Sequence, residues 1–208
     1  MSDLLICGFS ETITTGELKR DASARFWVES ALSTLSRENL RYQVKQAFAA
    51  WSSVANVHGE EASSPDEAHL LVRVASIDGR SGVLADCMLP GPPVQLMRLD
   101  NAEQWTVHVG ADVAPNEIDI VRVLAHELGH FWGLGHAPQG SQNLMAPMYS
   151  RTIWLPVGDW DLSNIVSLYG KPTSLIPAPG EHRIPSTISI FDQYGTVLST
   201  YRLGERLA

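Results

Sequence analysis

Residues 126–136 read HELGHFWGLGH, three histidines and one glutamate in a single short stretch. His126 and His130 are four positions apart, so on a helix they share one face, one turn apart. Neutral imidazole suits Zn²⁺, and two such side chains at that spacing can hold one ion. Glu127 is badly placed to join them as a ligand. It is well placed to take a proton from a water beside the ion. Gly133 can adopt the left-handed backbone that lets the chain double back, which brings His136 in from another direction. Three histidines leave a fourth position for water, the mark of a catalytic rather than a structural zinc. The other histidines, His58, His69, His108 and His182, are isolated and read as surface or structural residues.

Upstream, Ile118, Val121, Leu124, Ala125 and Leu128 keep a helical period, so the segment from about 114 to Gly133 is expected to be one long helix. Leu40, Val44, Phe48, Trp51 and Ala55 do the same, with Ser36 as N-cap, predicting a helix over about 37–55. A last helix is expected over 159–170, with Leu162, Ile165, Val166 and Tyr169 inward and Gly170 closing it. RFWVES (25–30), HLLVRVAS (69–76), VLADCML (83–89) and QWTVHVG (104–110) read as strands, and EEASSPDEA (60–68) as a polar loop. KPTSLIPAPGEHRIP is a Pro-rich linker, and two short strands around DQYG follow it.

The 208 residues are 44% hydrophobic and 18% charged, an ordinary globular composition. A net charge of −8 with no Lys/Arg block argues against nucleic acid or an anionic membrane as partner. No apolar run approaches the roughly 18 residues of a membrane span. MSDLLICGFS has no basic stretch before its short apolar run and does not read as a signal peptide. The two cysteines, Cys7 and Cys87, leave thiols and a single disulfide both open.

His126, Glu127, His130, Gly133 and His136 together form H-E-x-x-H-x-x-G-x-x-H, which resembles the signature of the metzincin zinc proteases. LMAPMY (144–149) resembles the methionine turn and wall segment of the matrixins, the matrix-metalloprotease branch. Pro147 stands where astacins and serralysins place a zinc-binding tyrosine. GVLADCMLPG (82–91), DNAEQWT (100–106), QAFAAW (46–51) and DLSNIVSLYG (161–170) are similar to further matrixin segments. Ala137 stands where most matrixins have serine.

The resemblance implies an α+β fold: a twisted five-stranded sheet, three helices and a zinc cleft, with the C-terminal hairpin as an extension. It implies a zinc endopeptidase with His126, His130 and His136 on one catalytic zinc and Glu127 as general acid and base. Met145 would lie beneath the metal. An extended substrate would pair with the backbone of Val83, Leu84 and Ala85. Pro147, Met148 and Tyr149, with His126 and Leu124 or Val123, would line an S1′ pocket for an apolar residue. The expected division is an N-terminal segment (1–24), a catalytic domain (25–171) and a linker with hairpin tail (172–208). A monomer acting on peptide or protein substrates is expected. Family resemblance points to secretion, and the lack of a visible leader leaves the cytoplasm as the alternative.

Three departures from the family carry expectations of their own. Only SIDGRS separates two strands where matrixins have a long loop over a structural zinc and calcium, so neither ion is expected. Asp86 and Arg98 occupy histidine positions of that zinc site and are expected to pair across neighbouring strands, at a cost of several kcal/mol to break if buried. Asp100 and Glu103 match calcium-binding positions, with Arg80 the expected neutralising charge. Finally, Cys7-Gly8 is what remains of the matrixin propeptide motif, so Cys7 is a candidate to block the zinc as a thiolate. The alternative function is a zinc-bound but non-proteolytic or self-inhibited peptide-binding module.

Overall fold

The computed structural model describes residues 5–7, 21–107, 116–150, 158–172, 187–191 and 197–202. Two compact units divide the chain, Met1–Thr173 and Ser174–Ala208. In the second unit, Thr187–Phe191 and Val197–Arg202 pair antiparallel.

The first unit opens with β1 (Leu5–Cys7), β2 (Ser23–Val28), α1 (Arg37–Ser52), β3 (His58–Glu61), β4 (Leu70–Ala75), β5 (Val83–Cys87) and β6 (Gln95–Asp100). It continues with β7 (Trp105–Thr106), β8 (Ile118–Asp119), α2 (Ile120–Phe131) and α3 (Asp159–Tyr169). Five strands form a mixed sheet in the order β5-β6-β4-β2-β3, and β1 adds a sixth at the β5 edge. β5 runs antiparallel to β6, while β6, β4, β2 and β3 are mutually parallel. With three helices this is the expected α+β fold. The edge differs from expectation: β1 lies parallel on β5, with Leu5 opposite Val83 and Cys7 opposite Ala85. The strand expected to be open to substrate is covered by the chain's own N-terminus.

Alternation explains the core. Phe26 and Val28 of β2, Leu70 and Val72 of β4, and Met97 and Leu99 of β6 are fully buried. Against them α1 turns Leu40, Val44, Phe48 and Trp51, all buried, and packs on α2. Ser36 caps α1 as expected, accepting the Asn39 N–H at 3.1 Å. The histidine helix is shorter than its periodicity suggests: Ile118 pairs with Trp105 in a two-residue ladder, and Asp119 caps α2 by accepting the Val121 N–H. Of QWTVHVG only Trp105–Thr106 is strand, and 108–110 lie outside the described residues.

Two strands escape the hydrophobic pattern. β3 is HGEE, a polar edge whose place follows from pairing with β2. A Cβ on Gly59 would lie 2.0 Å from the Phe48 ring, so only glycine lets this edge close over α1. β6 turns Gln95 inward, where its amide donates to Met88 O at 2.6 Å.

Candidate metal centre

α2 carries His126 and His130 on one face, and the chain then reverses through a Schellman turn. Gly133, at φ 93°, donates its N–H to His130 O, and Leu134 donates to Gly129 O, both at 2.9 Å. The reversal sets Leu134 O 2.8 Å from His130 Nδ1, which must donate because a carbonyl only accepts. His126 Nδ1 likewise donates to Leu144 O at 2.7 Å. Both rings are thereby held with Nε2 as the basic nitrogen, turned toward the same place.

One ligand atom from each of His126, His130, His136 and Cys7 lies within 4.8 Å of all the others. His126 Nε2 is buried with no hydrogen-bond partner, and the Nε2 atoms of His130 and His136 face each other at 3.2 Å. Imidazole nitrogens converging in this way, one of them buried without a hydrogen-bond partner, suit a cation, so the donor set fits a tetrahedral zinc with three imidazoles and one further ligand. Burial keeps all three histidines neutral. It depresses His126 far below the ordinary imidazole value, His130 to about 3 and His136 less far, and mutual repulsion deepens the first two shifts.

Glu127, next to His126 on α2, is fully buried. Burial first, then the negative charge of Asp86, pushes its carboxyl well above the usual range. Its Oε1 has no partner and its Oε2 lies 3.7 Å from Cys7 Sγ. Neither cysteine is in a disulfide.

The segment after His136 supports the cluster from below. Met145 is fully buried against α2, where a Cβ on Gly129 would lie 2.2 Å from its Sδ. Trp51 reaches the same point from α1, its indole N–H donating to Ala125 O at 2.7 Å. Asp161 of α3 accepts the N–H of Leu144 at 2.6 Å and of Met145 at 3.2 Å. Its burial raises its carboxyl to about 6 against the pull of these bonds. Helix periodicity pointed inward at Leu162, its neighbour. The signal for Asp161 was an acid in the first turn of a helix, which reads equally well as dipole complementation.

The remaining candidates divide. Pro147, Met148 and Tyr149 are half-buried beside the cluster-bearing turn. The Tyr149 hydroxyl accepts the Asp119 N–H at 2.9 Å, and Arg122 Nη1 donates to Ser150 O at 3.0 Å, so the wall segment is strapped to the start of α2. Val123 and Leu124 are fully buried. The Leu84 and Ala85 side chains are also buried, so only the backbone of that edge could meet a substrate.

Asp86 and Arg98 pair opposite each other on β5 and β6, with Arg98 Nε 2.9 Å from Asp86 Oδ1. Their side chains are 20% and 44% exposed, so this is a surface pair worth about 1 kcal/mol or less, not the buried one considered above. Asp100 and Glu103 are satisfied chiefly by backbone N–H groups; the expected Arg80 charge acts on Glu103, as the smallest of several influences, and not on Asp100. His69 accepts the Arg25 N–H at 3.0 Å and His58 is exposed on β3. His108 and His182 lie outside the described residues. Among the described residues, no other group of His, Cys, Asp or Glu converges as these four do.

The sequence pattern of the matrixins matches residues 19–170. Mouse matrix metalloproteinase-19 is 30% identical over 178 residues, 79% of this chain and 33% of that protein. Metalloendoproteinase 1-MMP of Arabidopsis thaliana is 30% identical over 154 residues, 69% of this chain and 42% of that protein. Karilysin of Tannerella forsythia is 28% identical over 158 residues, 70% of this chain and 31% of that protein. The chain spans between a quarter and a half of the length of the relatives it matches. No helix among the described residues is long and apolar enough to cross a membrane.

Proposed function

Because the chain belongs to the matrixin family, we propose that it is a zinc endopeptidase for extended peptide or protein substrates, latched by its own N-terminus. The observation that carries the reading is the buried, unpartnered His126 Nε2 beside the Nε2 atoms of His130 and His136, with Glu127 on the same helix. Zinc held there would act as a Lewis acid, polarising the scissile carbonyl and making water acidic near neutral pH. Glu127 takes the proton of the attacking water on Oε2, the oxygen now facing Cys7, and returns it to the leaving amine. Its burial and the nearby Asp86 raise its affinity for that proton. The peptide N–H and C=O groups of β5 would align the substrate as a further strand. Tyr149, Pro147 and Met148, with Val123 or Leu124, would receive an apolar P1′ residue. One zinc per chain is part of this reading, as is action outside the cell, which rests on the family alone.

The seat of Cys7 favours latency as the resting condition. β1 occupies the edge that a substrate needs, and Cys7 Sγ occupies the fourth corner of the histidine cluster. With zinc bound, a Cys7 thiolate would serve as the fourth ligand in place of water.

Peptide-library cleavage by the full chain, with and without a zinc chelator, tests both halves. Glu127→Ala should bind one zinc per chain and fold, yet lose about 10²-fold or more in turnover; substantial residual activity would sink the mechanism. Cys7→Ala should cleave from time zero, where the wild type shows a lag or a low rate. Identical progress curves would remove the latch and leave the protease reading standing.

A further inference from the structure

Between β4 and β5 the chain turns in residues 76–82, and the amides of this turn converge on two buried carboxylates, Asp100 at the end of β6 and Glu103 just after it. Asp100 is fully buried and Glu103 is 4% exposed. Asp100 Oδ2 accepts the N–H of Ile77, Asp78 and Gly79 at 3.3, 3.1 and 3.0 Å, and Oδ1 accepts that of Ala102 at 2.9 Å. Glu103 Oε1 accepts the Ser81 N–H at 2.6 Å. Gly79 at φ 93° and Ser81 at φ 67° take the left-handed backbone that turns successive amides to one side, an anion-binding concavity.

The turn in turn holds β5. Asp78 accepts the N–H of Val83, the first residue of the strand, at 3.0 and 3.1 Å. A Cβ on Gly82 would lie 2.3 Å from Asp78 Oδ2, so glycine leaves the room this bond requires. The clamp is anchored on its other side too: Trp105 Nε1 donates to Asp100 O at 2.7 Å and Asn101 N–H to Ala75 O at 2.9 Å.

Amides donating to both oxygens of Asp100 do the work of a cation and would be repelled by one placed there. Burial alone would raise the Asp100 carboxyl, but its four backbone bonds outweigh that and hold it below the ordinary carboxylate value. We propose that Asp100 and Glu103 are positioning residues that fix the start of the substrate-pairing strand through the 77–82 turn, in place of a bound cation. The kinetic part of this proposal rests on the endopeptidase reading; the structural part does not.

The experiment uses the full chain carrying Cys7→Ala, in calcium-free buffer that retains zinc, as the reference. Asp100→Asn turns an amide group onto amides and should break the clamp. Glu103→Ala, a milder loss, serves if Asp100→Asn does not fold. Glu103→Gln keeps an acceptor for Ser81 and should behave as the reference. Hydrogen exchange should speed about tenfold or more at the β5 amides in the breaking variants, with 126–136 unchanged. KM should rise about fivefold with kcat within about twofold, since the zinc site is untouched. Millimolar calcium should leave the melting temperature of the reference unchanged. Calcium-dependent stabilisation of the reference, unchanged β5 exchange in the breaking variants, or a fall in kcat at constant KM would each overturn the proposal. If the reference cleaves no peptide, the endopeptidase reading fails, while exchange and calcium response still decide the clamp.

Discussion

Gly129 sits between the two helical histidines, and its missing side chain is what lets Met145 and Trp51 meet beneath them. A methyl group there would stand 2.2 Å from Met145 Sδ and 3.1 Å from Trp51 Cζ2. Gly129→Ala gains about 1 kcal/mol of helix propensity. Overpacking should outweigh that gain, leaving a net loss of up to about 2 kcal/mol in urea unfolding. The loss should shrink when Met145→Ala is added. A stabilised single variant would show that the contact yields freely. The candidate ligands were legible because spacing alone carries the information: four positions for one helical face, a glycine for the reversal. Gly129 was not, since its reason lies in residues brought from far along the chain.

Among elements, α3 matters more to the site than its distance in sequence suggests. Asp161 ties it to the turn whose Leu144 carbonyl orients His126. Asp161→Ala leaves the Leu144 and Met145 amides without this acceptor inside the protein, at about 2–4 kcal/mol. Zinc affinity should fall by about tenfold or more, because the orienting carbonyl loses its anchor. Calorimetry paired with a zinc titration separates the two; unchanged affinity would mean the turn holds itself. α1 and β4 could be read from periodicity because each buries one regular face. β3 and β6 could not: HGEE owes its place to its partner strand, and Gln95 points inward for a bond to Met88. β1 is too short to show a period, so only Cys7-Gly8 hinted at it.

At the scale of the whole molecule, the metal-free fold carries a proton debt. His130 has an ordinary value of 6.5 unfolded and about 3 folded. Between those values the unfolded chain binds a proton that the folded one refuses, so its contribution is intact above 6.5 and is lost as pH falls. Glu127, Glu103 and Asp161 shift upward and act in the opposite sense, so the total curve is not diagnostic. The difference is: apo His130→Gln should show a stability slope shallower by about one proton between about pH 4 and 6. Equal slopes in urea titrations of the two apo proteins would show that His130 is protonated within the fold.

The short parallel strand β1 has a kinetic corollary. In the proposed latch, thiol and histidines belong to one chain, so opening would be unimolecular and the closed fraction would not change on dilution. Covalent linkage gives the thiol a high effective concentration, which any competing small ligand must exceed. A cut between Cys7 and Ser23 would end that linkage, leaving the proposed latch held only by the three-residue pairing of β1 and the contacts of Cys7.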